Sequence, residues 1–146
     1  SRQAAGPSDR AIEQVVAANI DIVFLVAGLD GNFNVRRLER YLTVAWDSGA
    51  IPEIVLNKTD LCENVQGRLD QIEKIAPAIR IHAVSAVNRD NVESVRASIS
   101  RGKTAALLGS SGVGKSSLIN ALLGEERQRV TEVSSEESRG RHTTTS

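Results

Sequence analysis

KTAALLGSSGVGKSSLINALLG, residues 103–124, is the stretch on which the fold turns. It opens with a short apolar run, passes through a loop rich in glycine and serine, and closes on a segment that places Leu118, Ala121 and Leu122 on one helical face. The loop GSSGVGKS fits the pattern G-x-x-x-x-G-K-S/T at Gly109, Gly114, Lys115 and Ser116, with Gly112 as a further glycine. From average residue usage, a chance match in a chain of this size has odds of about one in two hundred. A strand before the loop and a helix after it supply the context the pattern requires, which leaves little room for an ordinary glycine-rich turn with an exposed lysine. The glycines allow backbone amides to turn inward around a β-phosphate, aided by the positive end of the helix that begins near Lys115. Lys115 is placed to bridge β- and γ-phosphate oxygens, and the Ser116 hydroxyl to take one Mg²⁺ position.

Three more apolar runs precede this one: DIVFLVAG (21–28), PEIVLN (52–57) and IRIHAVSA (79–86). Val, Ile and Leu without polar alternation suit strands covered on both faces, as in a parallel sheet. Between them VRRLERYLTVAWDSG carries Val35, Leu38, Leu42 and Ala45 or Trp46 at helical spacing and stops at Gly49. NVQGRLDQIEKIAP predicts a helix ending before Pro77, and DNVESVRASISRG one ending at Gly102. Repeated strand-helix units imply an α/β fold, a doubly wound and mostly parallel sheet with right-handed crossovers. From about residue 125 the sequence EERQRVTEVSSEESRGRHTTTS is polar and without sustained period, and predicts a mobile loop or tail. The expected division is therefore a core over 1–124 and a separate segment over 125–146.

At 146 residues the chain suits one domain with a sizeable core. Its 18 basic and 18 acidic residues balance, so no global field draws it to nucleic acid or membrane. One cysteine, Cys62, excludes an internal disulfide and a multi-cysteine zinc site, which fits a reducing, cytoplasmic setting. The longest apolar stretch, IDIVFLVAGL at 20–29, is about half of what a membrane-spanning helix needs, so no membrane is expected. SRQAAGPSDR at the start lacks the pattern of a signal peptide. No methionine occurs anywhere, position 1 included, so a piece or processed form of a longer protein is expected.

NKTD, residues 57–60, closes the second apolar run, at the strand end where doubly wound sheets bind ligands. Alone it is a weak motif that equally describes a polar turn. A carboxylate at Asp60 can accept from guanine N1–H and from the exocyclic amine, groups that adenine does not present in that arrangement. The Lys58 stem can lie on the purine face, and Asn57 can tie either the base or the phosphate loop in place. SAV at 85–87 ends the next run, where the Ala86 N–H can donate to guanine O6. Together the three motifs favour a guanine site over an adenine one.

SDRAIEQVVAANIDIVFLVAGLDGNFNVRRLERYLTVAWDSGAIPEIVLNKTDL, GSSGVGKSSLINALLG and RGRHTTT resemble the circularly permuted GTPases known as ribosome small-subunit-dependent GTPase A. The resemblance covers nearly the whole chain and implies a P-loop NTPase G domain in which the base-reading motifs precede the phosphate loop, followed by switch I. It implies GTP and GDP as ligands with Mg²⁺, slow hydrolysis stimulated by the small ribosomal subunit and its rRNA, a role in late subunit maturation, and a monomer. By resemblance Asn57, Lys58, Thr59 and Asp60 with Ser85, Ala86 and Val87 take the guanine. Gly109, Ser110, Ser111, Gly112, Val113, Gly114, Lys115, Ser116 and Ser117 take the phosphates and Mg²⁺. RGRHTTT becomes switch I, with Thr144, or Thr143 as second choice, closing over Mg²⁺ and the γ-phosphate, and His142 placing the attacking water.

The family also carries an oligonucleotide-binding β-barrel before the G domain, a zinc-binding helical domain after it, and an Asp-x-Pro-Gly switch II beyond HTTT, none of which occurs in these residues. Zinc is expected only in such a downstream domain. Weak GDP binding and negligible turnover are expected of a chain of this extent, as is an open edge on the strand that leads into the phosphate loop. Two alternatives stay open: a permuted GTPase acting on the large subunit, or a factor regulated by GTP and GDP with negligible turnover. Arg36, Arg37 and Arg40 form a basic cluster that suits either a solvated helix face or contact with RNA phosphates. Cys62 is expected to be inert, His82 structural, and Trp46 part of a helix core.

Overall fold

The computed structural model describes residues 20–31, 33–99, 103–110, 112–123 and 129–134. Among these, five strands alternate with four helices: β1 (Ile22–Gly28), α1 (Val35–Ser48), β2 (Ile51–Asn57), α2 (Val65–Ile75), β3 (Ile81–Ala83), α3 (Val92–Ser98), β4 (Thr104–Gly109), α4 (Lys115–Leu123) and β5 (Arg129–Ser134). A short 3₁₀ turn, Thr59–Leu61, follows β2. Every strand pair is parallel and the sheet order is β3-β2-β1-β4-β5, the doubly wound α/β arrangement read from the sequence.

β1 occupies the middle, buried along its whole length. Val23, Leu25 and Ala27 enter one core with α1 and α2, while Ile22, Phe24 and Val26 enter a second core with α3 and α4. A strand that feeds two cores has no solvent face, which is why its sequence lacks polar alternation. From β1 the chain steps outward through β2 to β3, then returns to the opposite flank of β1 for β4. The carboxyl ends of β1 and β4 thus border the point where strand order reverses, the crevice in which such sheets bind ligands.

Helix ends are held by specific side chains. Asn34 caps α1 by accepting from the Arg37 amide at 3.0 Å, and Asn64 caps α2 by accepting from the Gly67 amide at 3.1 Å. Arg96 of α3 donates to the Ala121 and Leu122 carbonyls at 2.6 and 3.2 Å, giving a cationic partner to the carboxyl end of α4. His82 is structural, as expected: it is buried, with Nε2 2.7 Å from Glu53 Oε1 and Nδ1 2.8 Å from Ser94 Oγ.

Five sequence expectations are corrected. Residues 129–134 form β5, in register with β4 from Thr104 opposite Arg129 to Gly109 opposite Ser134, so this part of the polar segment is not irregular and β4 is not an open edge. Unpaired N–H and C=O groups along β4 favour another strand, and Val130, Thr131 and Val133 are β-branched residues that suit one. Trp46 is 60% exposed rather than packed, because Leu38, Tyr41, Leu42 and Ala45 already fill the buried face of α1. α3 stops at Ser98 instead of reaching Gly102, since Ile99 is already extended and buries its side chain. β3 is shorter than the run 79–86, for beyond Ala83 the chain turns and Ser85 bridges Asp90.

Candidate functional site

The last residue of β2, Asn57, is the hub of the carboxyl-end crevice. Its side chain is buried, and Nδ2 donates to the Val113 carbonyl of the phosphate loop at 2.9 Å. Its Oδ1 accepts from the Ala86 amide at 3.0 Å. One amide side chain therefore joins three segments that are far apart in sequence: the turn after β2, the turn after β3 and the GSSGVGKS loop. Of the two tethers considered for Asn57, the structure has the one to the loop. The Ala86 N–H is directed at Asn57, so donation to guanine O6 requires that this bond be shared or exchanged.

Lys58 adopts a left-handed backbone, φ 70°, which a side chain takes only where its surroundings enforce it. Its ammonium donates to the Gly112 carbonyl at 2.6 Å and pairs with Asp30 Oδ2 at 2.8 Å, drawing the segment after β1 onto the same side. The Thr59 amide donates to the Val84 carbonyl at 3.1 Å, which sets the start of the 3₁₀ turn that carries Asp60. Ser85 Oγ donates to Asp60 Oδ1 at 2.8 Å and orients a carboxylate that stays exposed, while Val87 projects into solvent.

On the phosphate side the geometry demands glycine at two places. Gly114 has φ 92°, and a Cβ there would lie 2.3 Å from Asn57 Nδ2. At Gly109 a Cβ would meet the Val26 carbonyl at 2.7 Å. Lys115 is 4% exposed, with its ammonium donating to the Gly109 and Ser110 carbonyls at 2.6 and 3.2 Å. A buried cation whose partners are carbonyl oxygens can exchange them for phosphate oxygens with little loss. Ser116 and Ser117 stand exposed on the first turn of α4. Ser111, His142, Thr143 and Thr144 lie outside the described residues.

The family model described as RsgA GTPase matches residues 2–146. The chain belongs to the RsgA GTPase family. It is 42% identical over its full length to a small ribosomal subunit biogenesis GTPase RsgA 2 of Vibrio parahaemolyticus, covering 40% of that protein. It is 47% identical over 99% of its length to the RsgA of Opitutus terrae, covering 39% of that protein. The crystal structure of YjeQ from Thermotoga maritima matches with a TM-score of 0.65 and 28% identity, over 76% of this chain and 41% of that one. The chain thus spans about two fifths of the length of these relatives.

In this chain NKTD precedes the GSSGVGKS loop, the order that the resemblance implied. The sheet order brings both to one crevice regardless of where the chain is cut. No group of three or more His, Cys, Asp or Glu among the described residues is arranged to hold a metal. Mg²⁺ bound with a nucleotide needs only one or two protein oxygens, because phosphates and water supply the rest, so Ser116 beside Lys115 fits that role. No helix among the described residues is long and apolar enough to cross a membrane.

Two side chains at the site escaped the sequence reading. Asp30 lies two residues past the end of β1, and that place beside a strand end was the signal available. Arg37, weighed only as part of a basic cluster, reaches the phosphate loop: its Nη1 donates to Ser110 Oγ at 3.0 Å.

Proposed function

We propose that this chain is the guanine-nucleotide domain of a cytoplasmic GTPase that hydrolyses GTP to GDP during late maturation of the small ribosomal subunit. The observation that carries the reading is the Asn57 hub, which locks a base-reading turn to a phosphate loop at one end of the sheet. The names of the RsgA relatives support the ribosomal part.

Asp60, oriented by Ser85, accepts from guanine N1–H and its amine, and the Lys58 stem covers the purine face. Lys115 leaves the Gly109 and Ser110 carbonyls for β- and γ-phosphate oxygens, and with the loop amides it stabilises charge that develops there. Ser116 and Thr144 are the candidates to hold Mg²⁺, which supplies charge neutralisation when bound. His142 is the candidate for orienting the attacking water.

Phosphate release by the full-length natural protein, with and without small ribosomal subunits, tests the reading. A sharp rise with subunits is expected. A flat response removes the ribosomal role, and failure to bind GDP or GTP in a titration removes the nucleotide site itself.

A further inference from the structure

Arg37 occupies the third position of α1, where its own amide is already used by the Asn34 cap. With Arg36 it puts two cations in the first turn of a helix that carries no acidic residue there. A helix amino end is electropositive, so this placement works against the helix rather than for it. Local rules broken in this way point to a task elsewhere. The guanidinium is half-buried and lies over a narrow cleft between α1 and the phosphate loop, bordered by Gly28, Leu38, Tyr41 and Val113. Across that cleft it donates to Ser110 Oγ at 3.0 Å.

We propose that Arg37 is a positioning residue of the phosphate loop, holding Ser110 in place so that the loop keeps its curvature when the nucleotide enters. This rests on the phosphate-binding reading above. Ser110 is gripped twice, its carbonyl by Lys115 and its hydroxyl by Arg37. When Lys115 turns to the phosphates, the first grip is released and the second remains. Arg37 is suited to this because a guanidinium holds a planar, fixed donor geometry, whereas lysine offers a flexible point charge. The Asn34 cap fixes the base of the side chain, so the tether runs from a rigid helix end to the loop.

The test compares Arg37→Ala, Arg37→Lys, Ser110→Ala and the Arg37→Ala/Ser110→Ala pair in the full-length natural protein. GDP affinity is read by fluorescence titration, and amide hydrogen exchange of Gly112 to Lys115 is read without nucleotide. Arg37→Ala is expected to weaken GDP binding about tenfold and to speed loop exchange, with Arg37→Lys recovering only part. The double variant should be no worse than the poorer single one, as groups that act on each other require. Unchanged loop exchange in Arg37→Ala, or single effects that simply add, overturns the proposal. Wild type that binds no guanine nucleotide overturns the site reading instead, and the exchange data still decide whether Arg37 holds the loop. Should Arg37→Ala fail to fold, Ser110→Ala carries the same comparison from the other side of the bond.

Discussion

Two buried polar clusters in this molecule look alike by burial and differ in what they can do. At the edge of the sheet, His82 has both ring nitrogens taken by side chains, Glu53 on one side and Ser94 on the other. At the carboxyl-end crevice, Lys115 and Asn57 are equally buried, but they hold main-chain carbonyls of a loop shaped by glycine. The first cluster is saturated and closes a gap between α3 and β2. In the second, the carbonyl acceptors of Lys115 are ones that phosphate oxygens can replace, while Asn57 ties the loop in place. Burial of a polar group therefore marks a site only when its partners can be traded for a ligand.

The sharpest way to test that contrast is at Lys115. Lys115→Ala should lower GTP turnover of the full-length natural protein by about two to three orders of magnitude, as loss of a main charge stabiliser does, with phosphate release as the measure. Asp60→Asn should move preference from guanine toward xanthine nucleotides by at least about tenfold, because the amide presents a donor where a second acceptor is needed. Unchanged GTP affinity in a binding titration would remove the base-site assignment. Asn57→Ala leaves the Ala86 amide and the Val113 carbonyl without their partner. It should cost about 1–3 kcal/mol of stability in urea unfolding, together with nucleotide affinity.

On the other side of the contrast, His82→Ala should cost a similar 1–3 kcal/mol, roughly the penalty of orphaned buried partners, while leaving GDP affinity intact. A large loss of affinity would show that the edge cluster reaches the site. The smallest effect is one of pH. Burial pushes the Glu53 carboxyl up, but the bond to His82 and the charges of His82 and Arg80 outweigh it and hold the group below its ordinary 4.5. A carboxyl held low in the folded state stabilises the protein above the ordinary value, and that stability fades as pH falls through the lowered one. Glu53→Gln should therefore destabilise most at neutral pH and less as pH falls below about 4.5, seen in unfolding midpoints across that range.

The turn at GSSGVGKS and the strand-end placement of NKTD were legible because both depend on short spacings that local chemistry enforces: glycine where a Cβ cannot fit, lysine where a cation meets the loop carbonyls. β1 and β4 were legible because strands covered on both faces must be apolar throughout. Trp46 was misjudged because helical period alone does not say where the covering sheet ends, and Ala45 met the same period. β5 was missed because its pairing depends on the edge β4 offers, which is a property of the assembled sheet rather than of RVTEVS. Arg37 was seen only as charge, since its bond to Ser110 crosses 73 positions of sequence.

What the sequence determined by itself is the set of parts: parallel strands, the helices between them, a loop whose turns demand glycine and the NKTD tetrad at a strand end. Local sterics and hydrophobic period are enough to specify those. Only the tertiary structure decided that the parts share one crevice, because the reversal of strand order at β1 and β4 sets which strand ends face each other. It also decided the division of labour within the crevice, in which Asn57 serves as the tie between loops and Arg37 braces Ser110. Those roles rest on bonds between residues that sequence order keeps apart and folding alone brings within 3 Å.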